Sequence, residues 1–283
     1  MGRAHYSFGL IGASKVGISL SWHLQNKGHK PRFLWNRSKE GWHRGRKFLK
    51  FHYYTREFNS LSDVELFIIS VTDDAIEEVA WNLAEASEDL TDKIIFHTSG
   101  FHSSEILRPL RLRGAKIGSL HPAVSISNIK AGIEVIPETV FTCEGDAQNE
   151  LKAIADQIGK KGTIISAEQK QYLHLSAVFV NNYVTALITA LKNMMQQKGI
   201  SPQDSKGLLQ KLSQQATESW GQSIKESLTG PIVRGDINTI KGHLKLLENY
   251  PDLEELYIKF ANLAVDLYPE KLKEINETVE TNK

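Results

Sequence analysis

The sequence predicts an α/β fold, with a mostly parallel sheet in its N-terminal part followed by an all-α C-terminal domain. Two observations carry this. From residue 5 to about 166, short apolar runs rich in β-branched and aromatic residues alternate with amphipathic stretches. After Ser166 only long segments with helical spacing remain, separated by Gly and Pro stops. A chain of 283 residues suits two domains, expected at 1–166 and 167–283.

The expected strands lie in YSFGLIG at the start, PRFLWN at 31–36, VELFIISV at 64–71, KIIFH at 93–97, AKIGS at 115–119, TVFTC at 139–143 and GTIIS at 162–166. They lack a clean period of two, as strands covered on both faces do. Helices are expected at about 168–198, closed by Gly199, then at about 202–227, 237–248 and 252–267 with Pro269 beyond. The polar tail EINETVETNK reads as prone to fray. Leu173 to Leu191 carries no formal charge, close to the roughly 20 residues needed to span a bilayer. His174, Asn181, Asn182 and two threonines interrupt it, which favours a helix buried inside the protein or a dimer.

With 34 Lys+Arg against 33 Asp+Glu, no global field selects a polyanionic partner. The single cysteine, Cys143, excludes an internal disulfide or a thiolate cluster and suits either a reducing compartment, the cytoplasm being the expected one, or indifference to redox state. Metal chemistry finds little support: no HExxH and no paired Cys occur, and the acidic residues show no ligand spacing. A Ser-His-Asp hydrolase is weaker still, because no G-x-S-x-G elbow is present.

The first strand leads into Gly12-Ala13-Ser14-Lys15-Val16-Gly17 and then an apolar-periodic helix. That order places helix N-terminal amides under a pyrophosphate, where unpaired N–H groups and the helix dipole favour anions. Ser14 replaces the middle glycine of the dinucleotide fingerprint; a Cβ must fit there, and its hydroxyl is a candidate donor to a phosphate oxygen. A plain tight turn is the competing reading. The second strand ends in Asn36-Arg37-Ser38, with no acid at the distance where NAD sites hold the ribose 2′-hydroxyl. Arg37 with Ser38 suits a 2′-phosphate, so NADP(H) is expected over NAD(H). Residues 37–56 mix seven basic side chains with Trp42, Phe48, Phe51, Tyr53 and Tyr54. Single-stranded nucleic acid is conceivable on that mix, but a solvated helix face is the favoured reading and no nucleic acid is expected.

Further strings carry a family resemblance. Val71-Thr72-Asp73 resembles the V-P/T-D loop of NADP-dependent reductases in the 6-phosphogluconate dehydrogenase-like superfamily. HTSG at 97–100, SLHPAVSIS at 119–127, HLSAVFVNN at 174–182 and GPIVRGD at 230–236, followed by His243, resemble a more specific group. That group is the Rossmann-like family with a C-terminal domain of unknown function, allied to pyrroline-5-carboxylate reductases and to reductases using NADP and a deazaflavin coenzyme. The resemblance implies a Rossmann domain binding NADP, an α-helical dimerisation domain and a small-molecule substrate. The chain departs from its relatives at Ser14. It also has no lysine near Asn182 to match the catalytic lysine of related hydroxyacid dehydrogenases.

Within that frame His121 is the leading proton donor, following a short strand and preceding Pro122; a structural histidine tying its own loop is the alternative. His174 and Asn182 stand eight positions apart and are expected to face one cleft, with satisfied core hydrogen bonds as the bland alternative. Arg234 is a candidate clamp on a carboxylate or phosphate, or else a brace to Asp236, which is also expected to cap the helix at Ile237. Ser99 and Gly100 are expected to offer a hydroxyl and an amide beside a nicotinamide, an ordinary turn being the alternative. The expected function is an NADP(H)-dependent oxidoreductase, homodimeric through the long apolar helix, acting on a small carbonyl or imine or on a deazaflavin. A non-catalytic NADP-binding sensor and a plain nucleotide or anion site are the alternatives.

Overall fold

The computed structural model describes residues 5–58, 64–219, 221 and 227–267. The chain divides into two compact units, Met1–Tyr183 and Val184–Lys283. In the first, the strands are β1 (Ser7–Ile11), β2 (Lys30–Trp35), β3 (Tyr53–Thr55), β4 (Leu66–Ile69), β5 (Ile94–His97), β6 (Lys116–Pro122), β7 (Val140–Gly145) and β8 (Lys161–Ile164). They form one sheet in the order β3-β2-β1-β4-β5-β6-β7-β8. Pairing is parallel except between β6 and β7, where Ser119 faces Glu144 and His121 faces Thr142. The first six strands thus follow the doubly wound order, whose direction reverses beside β1 and β4.

Each expected strand is present. The run that shows no period of two in its composition is sorted by the sheet into two cores. Phe8, Leu10, Leu66, Ile68 and Phe96 pack with Ile18, Leu20 and Leu24 of helix α1 (Lys15–Asn26) and with Leu151 and Ile154 of α6 (Gln148–Ile158). Ile11, Phe67, Ile69 and Ile95 pack on the other face against Ile76, Val79 and Leu83 of α3 (Ile76–Glu85). Cys143 belongs to the first core, and burial pushes its thiol up to about 12, which leaves it inert.

Two expectations are corrected here. Residues 37–56 are not one solvated helix face: a short α2 (Lys39–Arg46) is followed by β3, which pairs with β2. The interleaved aromatics are structural, since Phe51 is buried, Tyr53 packs on Phe33, and Arg46 and Arg56 sit over the Tyr54 and Trp42 rings. The second correction concerns the long helix. It runs as α7 (Ala167–Ala177), a π-helical turn at Val178–Tyr183 and a further helix at Val184–Gln197. Ala167–Gln197 is long and apolar enough to cross a membrane by length and composition, and the most apolar 18 residues within it are not buried inside the chain. Phe179, Val180 and Tyr183 are each more than half exposed.

Beyond Ile164 the described residues contain no strand. The second unit continues with helices Pro202–Glu218, Pro231–Arg234, Ile237–Leu247 and Pro251–Asp266, and its core gathers Ile240, Leu244, Ala261 and Val265. The expected end of the 202–227 helix falls partly outside the described residues, as do Pro269 and the polar tail. Phe96 has no exposed surface at the centre of the sheet. Phe96→Ala is expected to cost roughly 3–5 kcal/mol in a urea unfolding titration.

Candidate active site

The turn after β1 is shaped by contacts that glycine alone permits. Gly12 has φ of +91°, and a Cβ there would lie 2.4 Å from the Ser70 carbonyl oxygen. At Gly17 a Cβ would strike Ser70 and Leu10, so its absence lets α1 close on the sheet. Ser14 caps α1: the Gly17 N–H donates to its Oγ at 2.9 Å. The same hydroxyl shares a 2.6 Å hydrogen bond with Ser70, which continues at 2.8 Å to Thr98. The expected phosphate donor is therefore first a helix cap and a link between three strand ends. The amides of Ser14, Lys15 and Val16 carry no hydrogen bond among the described residues and open onto a groove of about 620 Å³.

Asn36 braces this turn: its Oδ1 accepts from Ala13 N–H at 3.1 Å, and its Nδ2 donates to the Ser38 carbonyl at 3.0 Å. Ser38 caps α2. Arg37 is exposed and has no ion-pair partner among the described residues. Arg44 was not singled out by sequence reasoning, yet it lines the groove and donates from Nε to the Ala13 carbonyl at 2.8 Å. Its place among the basic side chains of residues 37–56 was the available signal.

A second cluster forms where β5 and β6 end. The strand β6 extends through His121 and Pro122, so His121 lies in the sheet, in register with Thr142, and not in the loop after it. Its Nδ1–H donates to the Thr98 carbonyl at 3.1 Å, which leaves Nε2 with a lone pair. The rings of His121 and His174 stand 6.1 Å apart, nearly perpendicular, and Phe101 lies 6.1 Å from His174. Gly100 separates the two histidines; a Cβ there would lie 2.5 Å from His174 Nδ1 and 2.9 Å from His121 Nε2. Burial, with a smaller repulsion from Lys170, pushes His121 down to about 4, against the pull of its Thr98 hydrogen bond. His121 is therefore a neutral acceptor at pH 7, which argues against its expected role as proton donor. His174 has no hydrogen-bond partner among the described residues.

Ser99 is more committed than expected. Its hydroxyl donates to Asp73 Oδ2 at 2.9 Å and accepts from the amides of Phe101 and His102, while its own N–H donates to His97 Nδ1. It braces the turn and has no free hydroxyl to offer. Val71 packs into the second core, and Thr72 and Asp73 are exposed at the end of β4.

Sequence reasoning missed the group beneath these histidines. Lys170 is 2% exposed; its Nζ donates to the His102 carbonyl and to Ser119 Oγ, and lies 3.7 Å from Glu144 Oε1. Glu144 is itself held by the N–H and Oγ of Ser104. The signal was present: Lys170 precedes His174 by four residues and so shares its helix face. Asn182 is not brought to the histidines in the described contacts; it is exposed on the π turn, accepting from Asn181. The wider turn breaks the α-helical phase on which the eight-residue spacing relied. Arg234 pairs with Asp236 Oδ2 at 2.7 Å, and this takes the carboxylate expected to cap Ile237, which receives no side-chain cap.

Three substitution and pH outcomes follow from this geometry. Ser14→Ala should cost about 1 kcal/mol through loss of the cap, and Gly100→Ala roughly 1–3 kcal/mol through displacement of both rings, each read from urea midpoints. Burial pushes His97 down to about 3, so both it and His121 stay neutral in the fold well below their ordinary value of 6.5. Between about 4 and 6.5 the unfolded chain binds more protons than the fold, so stability must fall as pH drops through that window. Urea midpoints equal at pH 7 and pH 4.5 would contradict this.

Comparison with known proteins agrees with the architecture. A Rossmann-like domain model matches residues 1–122, and the model of a domain of unknown function, DUF2520, matches residues 139–263. No curated protein matches the chain. Among solved structures, a "putative NADP oxidoreductase" from Bacteroides fragilis is 22% identical, with a TM-score of 0.74 over 93% of this chain and 99% of its own. A reductive aminase from Aspergillus terreus, in complex with NADPH and ethyl-5-oxohexanoate, is 15% identical, with a TM-score of 0.70 over 99% and 100%. An imine reductase from Myxococcus stipitatus, in complex with NADP+, is 14% identical, with a TM-score of 0.70 over 98% and 99%. The chain joins a Rossmann-like domain to a C-terminal DUF2520 domain.

Proposed function

We propose that this protein is an NADP(H)-dependent oxidoreductase that passes a hydride to or from a small carbonyl or imine substrate, or a deazaflavin coenzyme. The observation that carries the reading is the placement of a neutral His121 beside His174 at the end of β6, on the sheet edge that also holds the glycine turn after β1. The structural neighbours bound to NADPH or NADP+ support the cofactor, and the aminase and imine reductases among them support the imine class.

The free amides of Ser14, Lys15 and Val16 would hold the pyrophosphate on the turn that Gly12, Ala13 and Gly17 shape. Arg37, Ser38 and Arg44 would take the 2′-phosphate, since the end of β2 offers Asn36 and no repelling carboxylate. Val71, Thr72, Asp73, Ser99 and Gly100 would wall the nicotinamide end. NADPH supplies the hydride when bound; the chain supplies orientation and the proton. His121 can only accept a hydrogen bond at Nε2, so His174 is the group placed to deliver a proton in reduction, and His121 orients it or the substrate. Arg234 can leave its exposed pair with Asp236 for an anion at a cost of roughly 0–1 kcal/mol. The exposed apolar face around Phe179, Val180 and Tyr183 fits a homodimer, and the buried thiol of Cys143 suits a reducing cytoplasm.

Fluorescence titration should show NADPH binding more tightly than NADH, with Arg37→Ala and Arg44→Ala each eroding the preference on the order of tenfold. Stereospecific deuteride transfer from labelled NADPH to an imine and ketone panel should be seen, and His174→Ala should lower kcat by about 10²–10⁴. Tight NADPH binding without transfer to any imine, ketone or deazaflavin would leave a binding protein and overturn the enzymatic reading.

A further inference from the structure

Lys170 stands apart from the groups assigned above because it does not line the groove. Its ammonium lies inside the first unit, where it joins three elements. It grips the 98–104 loop through the His102 carbonyl and β6 through Ser119 Oγ, and it faces Glu144 of β7 at 3.7 Å. Glu144 closes the same ring of contacts by holding Ser104 through its N–H and Oγ, at 2.5 and 2.9 Å. Ser119 and His121 point to one face of β6, two residues apart. Lys170 and His174 share one face of α7, and Gly100, which spaces the two histidines, lies in the loop that Lys170 grips.

We propose that Lys170 is the positioning residue of the His121–His174 pair: by pinning the first turn of α7 to β6, β7 and the 98–104 loop, it sets how His174 meets His121 across Gly100. This deepens the reading of the two histidines as the proton-handling groups and rests on it. A buried ion pair is a costly way to add stability, and a well-packed apolar pair of the same shape often does as well, so registry is the role that its geometry favours. Its charge has a second consequence. The ionisable groups around the ammonium are His97 from β5, His102 from the loop, Asp73 after β4, His121 from β6, Glu144 from β7 and His174 one turn along its own helix. Burial pushes Lys170 down to about 8, against the pull of Glu144 and Asp73. Below that pH it is a fixed cation that repels protons from His121 and His97.

The test uses the whole chain with 13C-labelled histidine, its resonances assigned by single His→Gln replacements, and requires no substrate. In the unmodified protein, the ring signals of His121 and His174 should move together with a midpoint near 8, as Lys170 loses its proton. Lys170→Met, or the charge-neutral Lys170→Met/Glu144→Gln should the single change fail to fold, should abolish that step. It should also raise the His121 midpoint, because the cation that repels its proton is gone, while NADPH affinity stays unchanged. A folded variant in which both histidine signals are unmoved would overturn the proposal. A protein that shows the step near pH 8 but never turns over would instead sink the oxidoreductase reading and leave the positioning role intact.

Discussion

Parallel alignment of β1, β4, β5 and β6 is the constraint on which everything else rests. Strands that run the same way finish at the same edge, so the glycine turn, Ser70, Thr98 and His121 are neighbours although 109 positions separate Gly12 from His121. Such a sheet must be covered on both faces, and the two apolar cores that cover it leave the edge as the place where polar groups gather. The hydroxyl chain from Ser14 through Ser70 to Thr98, with His121 donating to the Thr98 carbonyl, ties the cofactor-type turn to the histidine cluster by hydrogen bonds alone.

The antiparallel insertion of β7 gives the edge its electrostatic character. Because β7 runs against β6, it sets Glu144 opposite Ser119 and under α7, where Lys170 meets it. Two imidazoles, His97 and His121, are enclosed near that ammonium and are held neutral by burial first and by its charge second. A neutral imidazole with one nitrogen committed to a backbone carbonyl has a defined tautomer, so each ring keeps its other nitrogen as an acceptor.

Much of this was legible in residue order. The alternation of apolar runs with amphipathic stretches marked every strand except β3, which is three residues long and sits among basic side chains that read as a solvated surface. Gly12 and Gly17 marked the turn after β1, because each answers to a local steric requirement. His121 and His174 were found as residue types next to telling neighbours. Their mutual approach across Gly100 was not visible, since no local pattern encodes the distance between a strand end and a helix 53 residues later.

Local chemistry therefore determined the elements, the turn after β1 and the polarity at the end of β2, all of which depend on backbone sterics and charge within a few residues. Tertiary structure alone decided that Ser14 caps a helix, that Ser99 spends its hydroxyl on Asp73, that a π turn moves Asn182 off the expected phase, and that Lys170 is buried against Glu144. Those outcomes hang on which distant groups are desolvated together. Desolvation is a property of packing between elements, so a linear pattern cannot carry it.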